Sequence, residues 1–334
     1  MATHFFGLTS RTYKHSHAVG RAEFAGTGFR NPTDMAIAPD GTVFICNRSY
    51  ENRPDGVHIT VITLDEDYIT EFGTYGEADG EFMWPTSVAL DSKGDLYLAD
   101  EWLNRISKFT KDGEFVSKWG VAGSGDGELN GPAGLAIDSD DNIIVVDAGN
   151  NRVQKFSLDG KYISQFGKQG SADGEFNNPW GIALDSEGHV YIADWRNDRI
   201  QKFTADGQWE ASIGSSGSGV GQLNRPNGLA VDADGDIYVA DWMNNRVQVF
   251  APDGRYITEF QGEAVLSKWG RDKLASNPDM IRQRSLAFAS DPDYEKKLAH
   301  PCGVKIDPEG RIVIIDHTRN RLQVYIKEAE PALV

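Results

Sequence analysis

The sequence predicts an all-β fold, a six-bladed β-propeller, and three observations predict it. A proline-headed unit occurs six times, and a constant 47 residues separates Pro85, Pro132, Pro179 and Pro226. That period suits a propeller blade better than a helical repeat. Each unit reads as four short strands joined by polar turns, and the last unit lacks its fourth strand while a spare strand precedes the first.

The first strands follow the prolines in "PTDMAIAPDG" from Pro32, "PTSVALDSKG" from Pro85, "PAGLAIDSDD" from Pro132, "PWGIALDSEG" from Pro179, "PNGLAVDADG" from Pro226 and "PCGVKIDPEG" from Pro301. In the copy from Pro226 the strands are "GLAV", "IYVAD", "RVQVF" and "YITEF", separated by the Asp/Gly turns that close hairpins. Asp100, Asp147, Asp194, Asp241 and Asp316 each stand five residues before an arginine, at Arg105, Arg152, Arg199, Arg246 and Arg321. A pair required in every blade serves the blade, so these are expected to organise the turn between second and third strands. A glycine stands 12 positions before Pro32, Pro85, Pro132, Pro179 and Pro226. The sixth copy ends after its third strand at "RLQVYIKEAEP", so "TYKHSHAVG" near the N-terminus is expected to supply the missing outer strand and zip the ring shut. One body spans 1–334, interrupted between blades five and six by an insertion over 263–300. There Asn277 before Pro278 and Asp291 before Pro292 predict two short helices that carry Arg271, Lys273, Arg282 and Arg284 as a candidate lid.

Composition narrows function by exclusion. With 33 basic and 50 acidic residues the formal net charge is −17, which argues against nucleic acid and anionic membrane surfaces as partners. No apolar run reaches signal-peptide or spanning length, so a cytoplasmic protein is expected. Cys46 and Cys302 read as free thiols. No nucleophile elbow, phosphate loop, paired CxxC or HExxH occurs.

The pattern "P-x-G-[LIV]-A-[LIV]-D", followed by "A-D-x-x-N-x-R-[IV]-Q", resembles the NHL repeat, and six copies resemble the six-bladed NHL propellers. Constant letters build the ring; functional residues are sought where the copies differ. The loops into the first strands and the turns between second and third strands share one face, at the mouth of the central channel. The first set is Thr33, Thr86, Ala133, Trp180, Asn227 and Cys302; the second is Arg48, Glu101, Ala148, Trp195, Trp242 and His317. Trp180, Trp195 and Trp242 predict an aromatic wall facing a polar side with Asp34, Arg48, Ser87, Glu101 and His317, which suits a small-molecule ligand. Blade one departs most, with "ICNRSYENRPDGVHITVI" contributing Arg48, Tyr50, Arg53 and His58.

Blade one also resembles that of the peptidylglycine amidating lyases, zinc enzymes with a channel arginine; "VFICNR" carries that arginine over to Arg48. The positions matching that family's zinc histidines hold Thr86, Trp180 and Cys302, so no three-histidine zinc site is expected. Its tyrosine falls near Gly149. Resemblance to lactonase-type propellers implies a divalent cation, Ca²⁺ or Mg²⁺, held by oxygens of Asn227, Asp34 and Glu101. The expected function is a lyase or hydrolase acting on an oxygenated, carboxylate-bearing small molecule, with Arg48 stabilising negative charge and His317 or Asp34 moving protons. Tyr50, Ser87, Glu101, Trp180, Trp195, Asn227 and Trp242 would hold the substrate. The alternative is an interaction scaffold for a protein partner, which would present a flatter, broadly apolar face.

Overall fold

The computed structural model of the protein describes residues 11–49, 53–287, 291 and 293–328. Six four-stranded antiparallel sheets form the blades. Blade one comprises Pro32–Ile37, Val43–Asn47, His58–Ile62 and Tyr68–Phe72; blade five, typical of the rest, comprises Pro226–Val231, Ile237–Asp241, Arg246–Phe250 and Tyr256–Phe260. Each first strand packs beside the first strands of both neighbours, and Pro301–Ile306 against Pro32–Ile37 completes the circle. In blade six the outer position is taken by Thr12–Val19, which pairs antiparallel with Arg321–Glu328, setting Val19 opposite Leu322. The closure expected from the two incomplete ends is therefore present.

Six buried apolar clusters lie between adjacent blades rather than within one. Phe82, Val88 and Phe109 of blade two pack with Phe44, Ile59 and Val61 of blade one, and Val19, Val313 and Leu322 of blade six pack with Met35 and Ile45. The glycine that recurs before five of the six prolines has a steric cause. At Gly167, φ is +85°, and a Cβ would lie 2.3 Å from the ring of Phe176, which is fully buried. Loop and aromatic plug fit because that side chain is missing. The glycine two places after the proline is forced by close approach of neighbouring first strands, for a Cβ at Gly181 would lie 2.0 Å from the Asn227 carbonyl oxygen.

The repeated Asp and Arg form one network in blades three to six. Asp241, fully buried, accepts from Arg246 Nε at 2.8 Å, Asn244 Nδ2 at 2.8 Å and the Asn224 amide at 2.7 Å, while Arg246 also donates to the Gly219 and Gln222 carbonyls. Blade two keeps both residues but separates them: Asp100 takes the Met83 amide at 2.6 Å and Arg105 turns to the Glu77 and Glu81 carbonyls. In blade one Asn47 replaces the aspartate and bonds Thr60.

Each Asx residue before the repeat arginine is left-handed, with φ between 52° and 55° at Asn104, Asn151, Asp198, Asn245 and Asn320. Asn and Asp tolerate that conformation better than other side chains. Their side-chain oxygens reach into the next blade, where they accept the amides of Gly131, Asn178, Arg225, His300 and Asn31 at 2.7–2.8 Å. Five junctions of the ring are stitched this way, including the closing one.

The insertion differs from expectation. Helix α1, Lys268–Ala275, is capped by Ser267 Oγ on the Gly270 amide, and α2 is Pro278–Ala287, with Asn277 Oδ1 accepting the Asp279 amide. Asp291 begins no helix. It accepts the Asp293 amide and heads a series of turns instead, so α2 is the helix expected after Asn277, and its companion α1 precedes it rather than following at Asp291. No helix among the described residues is long and apolar enough to cross a membrane.

Candidate functional site

The axial channel has two levels at its mouth. The upper is a cavity of about 470 Å³ lined by Thr33, Arg48, Trp180, Trp195, Asn227, Trp242, Cys302 and His317, joined by Asn31, Ser49 and Asn178. Trp195 and Trp242 open the short 3-10 turns Trp195–Asn197 and Trp242–Asn244, so the same local backbone in adjacent blades aims both indoles inward; their centroids are 6.2 Å apart. Arg225 stacks over Trp195 at 4.4 Å. Trp180 enters from the blade-four first-strand loop.

Across from this wall stand Arg48 and His317. Arg48 donates to Glu101 at 2.8 Å and lies over the Trp84 ring at 4.8 Å, so its guanidinium plane is fixed by a carboxylate and an indole. Both charged side chains stay about a quarter exposed, so the ion pair itself contributes little, roughly 0–1 kcal/mol. His317 Nδ1 lies 2.9 Å from the Pro32 carbonyl oxygen. A carbonyl only accepts, so Nδ1 carries the proton and the neutral ring keeps its lone pair on Nε2. Burial depresses the His317 pKa below the ordinary value and outweighs the bond to the Pro32 carbonyl, which acts in the opposite direction.

Below lies a narrow waist lined by Asp34, Ser87, Asn227, Cys302 and Lys305. Asp34 and Ser87 belong to this level and not to the upper cavity, which corrects their expected place in the mouth. Asp34 accepts from Ser87 Oγ at 2.5 Å and from the Val88 amide, and Lys305 Nζ lies 3.4 Å from its other oxygen. With these partners Asp34 is committed to the waist, whereas His317 faces the upper cavity. Lys305 was missed, although a lysine where the other five blades have Ala36, Ala89, Ala136, Ala183 and Ala230 marks it in the sequence. Asn31, Ser49 and Asn178 were also missed, as was Trp84 beneath Arg48; nothing local distinguishes them.

Glu101 faces Arg48 and lines neither level, so the proposed oxygen set of Asn227, Asp34 and Glu101 is not brought to one cavity. The group with metal-like spacing among the described residues is Asp232, Asp234 and Asp236, whose oxygens lie within 4.8 Å of one another. Lys327 Nζ occupies its centre at 2.6–2.8 Å from all three. Of the residues at the zinc-histidine positions, Thr86 is spent on the Pro132 and Ala133 carbonyls, and Cys302 is buried with its thiol pKa pushed well up by burial. Tyr50 lies outside the described residues.

A closed ring with stitched junctions and a concave, mixed-polarity mouth defines a six-bladed β-propeller with a candidate small-molecule site on its axis. Two of its repeats match the NHL repeat model, over residues 176–203 and 223–250, and a model described as a 6-bladed beta-propeller matches residues 87–167. Among curated proteins, no sequence matches this chain. Solved structures with similar folds include a streptogramin B lyase, 14% identical with a TM-score of 0.58, covering 95% of this chain and 98% of that one. The virginiamycin B lyase of Staphylococcus aureus, in a catalytically inactive histidine-to-alanine form with quinupristin, is 17% identical with a TM-score of 0.57, covering 94% and 99%. A protein of unknown function from Bacteroides thetaiotaomicron is 18% identical with a TM-score of 0.65, covering 95% of this chain and 76% of that one. At these identities the likeness establishes the fold alone.

Proposed function

We propose that the upper cavity binds an oxygenated, carboxylate-bearing small molecule, and that the protein acts on it as a lyase or hydrolase. The observation that carries this reading is the convergence of Arg48, a neutral His317 and three tryptophans on one cavity of about 470 Å³, a size within the usual ligand range. Arg48 uses one nitrogen on Glu101, which leaves further donors for a carboxylate or developing oxyanion. The indoles supply apolar contact for the rest of the ligand. Nε2 of His317 is a base for either reaction, taking a proton from water in hydrolysis or from carbon beside a carbonyl in elimination. The fold shared with a lyase that a histidine-to-alanine change inactivates is consistent with this assignment. The cavity favours this reading over a protein scaffold, because a flat apolar docking face would need no recessed histidine or oriented arginine.

Indole fluorescence gives a direct test. Hydrocinnamate should quench saturably and its amide at least about tenfold less tightly, with the carboxylate response lost in Arg48→Met. Equal quenching of wild type and Arg48→Met would sink the assignment. Turnover is then sought with cyclic esters by mass spectrometry: elimination leaves product mass unchanged, hydrolysis adds one water, and His317→Ala should abolish either.

A further inference from the structure

A second cavity, of about 280 Å³, lies away from the axial mouth, between the helical insertion and blade six. Its wall brings together Arg21 from the segment after the closing strand, Lys273 of α1, Arg284 of α2, and Arg319 and Arg321 of blade six; Glu295 is the acid among them. Five cations from four separate segments are unexpected in a chain of net charge −17, so the cluster is not a consequence of basic composition.

Part of this charge is already matched. Arg284 pairs with Glu295, Arg321 with the buried Asp316 at 2.8 Å, and Lys273 with Glu23 at 2.6 Å, a carboxylate that Arg21 also shares at 3.6 Å. Glu66, behind the wall, is occupied by the Gly20 and Trp269 amides. Even with that group counted, five cations face four carboxylates. Donor capacity is in larger surplus than charge. Arg319 donates to the Tyr294 carbonyl, stacks over that ring at 4.3 Å, and makes no ion pair with a described residue. Lys273 has three N–H groups and one carboxylate partner.

We propose that this cavity is a binding site for a small phosphate monoester, with the phosphoryl group held between Lys273 and Arg319. A tetrahedral phosphoryl group is drawn by the net positive charge and fills the unfilled donors, and Arg and Lys together are the usual means of holding phosphate. The volume admits a phosphoryl group with a short organic substituent and excludes a polymer. The site is independent of the axial cavity, so its ligand is an effector or a second substrate and not the carboxylate bound at Arg48.

Isothermal titration of the full chain with α-glycerophosphate and with inorganic phosphate, at constant ionic strength, tests this. Saturable binding of the monoester is expected, weakened at least about tenfold in Lys273→Met and in Arg319→Gln. An Arg48→Met variant should bind it unchanged, because that residue lines the other cavity. Absence of saturable binding of either phosphate up to about 10 mM, at the weak limit of specific recognition, would overturn the proposal. So would equal affinity in wild type and both cavity variants, with circular dichroism confirming that they fold. Tight binding of inorganic phosphate alone, with the monoester excluded, would refute the organic ligand.

Discussion

His317 shows how one side chain reports the state of the mouth. Its Nδ1 proton is committed to Pro32, so protonation must occur at Nε2 inside a largely buried pocket beside Arg48. A histidine whose folded-state pKa is depressed is protonated more readily in the unfolded chain. Its neutral form therefore favours folding fully above the ordinary value of 6.5, and that contribution is lost as pH falls from there through the lower folded-state pKa. Wild type should thus lose stability relative to His317→Asn as pH is lowered through this window, measured by urea unfolding at several pH values. A constant difference between the two proteins across that range would contradict the assigned tautomer and burial.

At the scale of elements, the blade network and the closing strand have separable roles. Arg246 and Asp241 are almost wholly buried, with side-chain exposures of 9% and 0%. Removing one partner leaves an uncompensated charge, so Arg246→Met should cost about 3–5 kcal/mol in denaturant unfolding. A loss below about 1 kcal/mol would mean that the network only tolerates its own desolvation. The closing strand acts on the whole ring. A chain beginning after Val19 loses the pairing with Arg321–Glu328 and uncovers the Val313 and Leu322 cluster. The expected destabilisation exceeds any single core truncation, above about 5 kcal/mol, and the bared edge should associate in a concentration-dependent way visible by analytical ultracentrifugation.

Over the whole molecule, charge governs how an anionic ligand arrives. A net charge of −17 repels a carboxylate at distances beyond the reach of Arg48. Raising ionic strength from about 10 mM to about 150 mM shortens the Debye length from about 30 Å to about 8 Å and screens that repulsion. Stopped-flow association of hydrocinnamate should therefore accelerate with added salt. Slowing would show that the local field of Arg48 and Arg225 dominates the approach.

The sequence by itself determined the number of blades, the closing strand and the Asp and Arg code, because each follows from contacts that recur at fixed spacing in every copy. It also marked which residues break the pattern, among them Arg48, the three tryptophans and His317. Tertiary structure alone decided which of these share a cavity. Asp34 and Ser87 fell to the waist, Glu101 turned to Arg48, and Lys305 emerged as the partner of Asp34. The physical reason is that the site is assembled across the ring, as in the contact between His317 and Pro32, which are 285 residues apart. Periodicity fixes the height of a side chain within its blade, but its neighbours across the axis depend on ring closure and on the packing of unlike side chains. The insertion carried no repeat at all, so the cavity it forms with Arg319 and Arg321 was fixed by where its two helices dock.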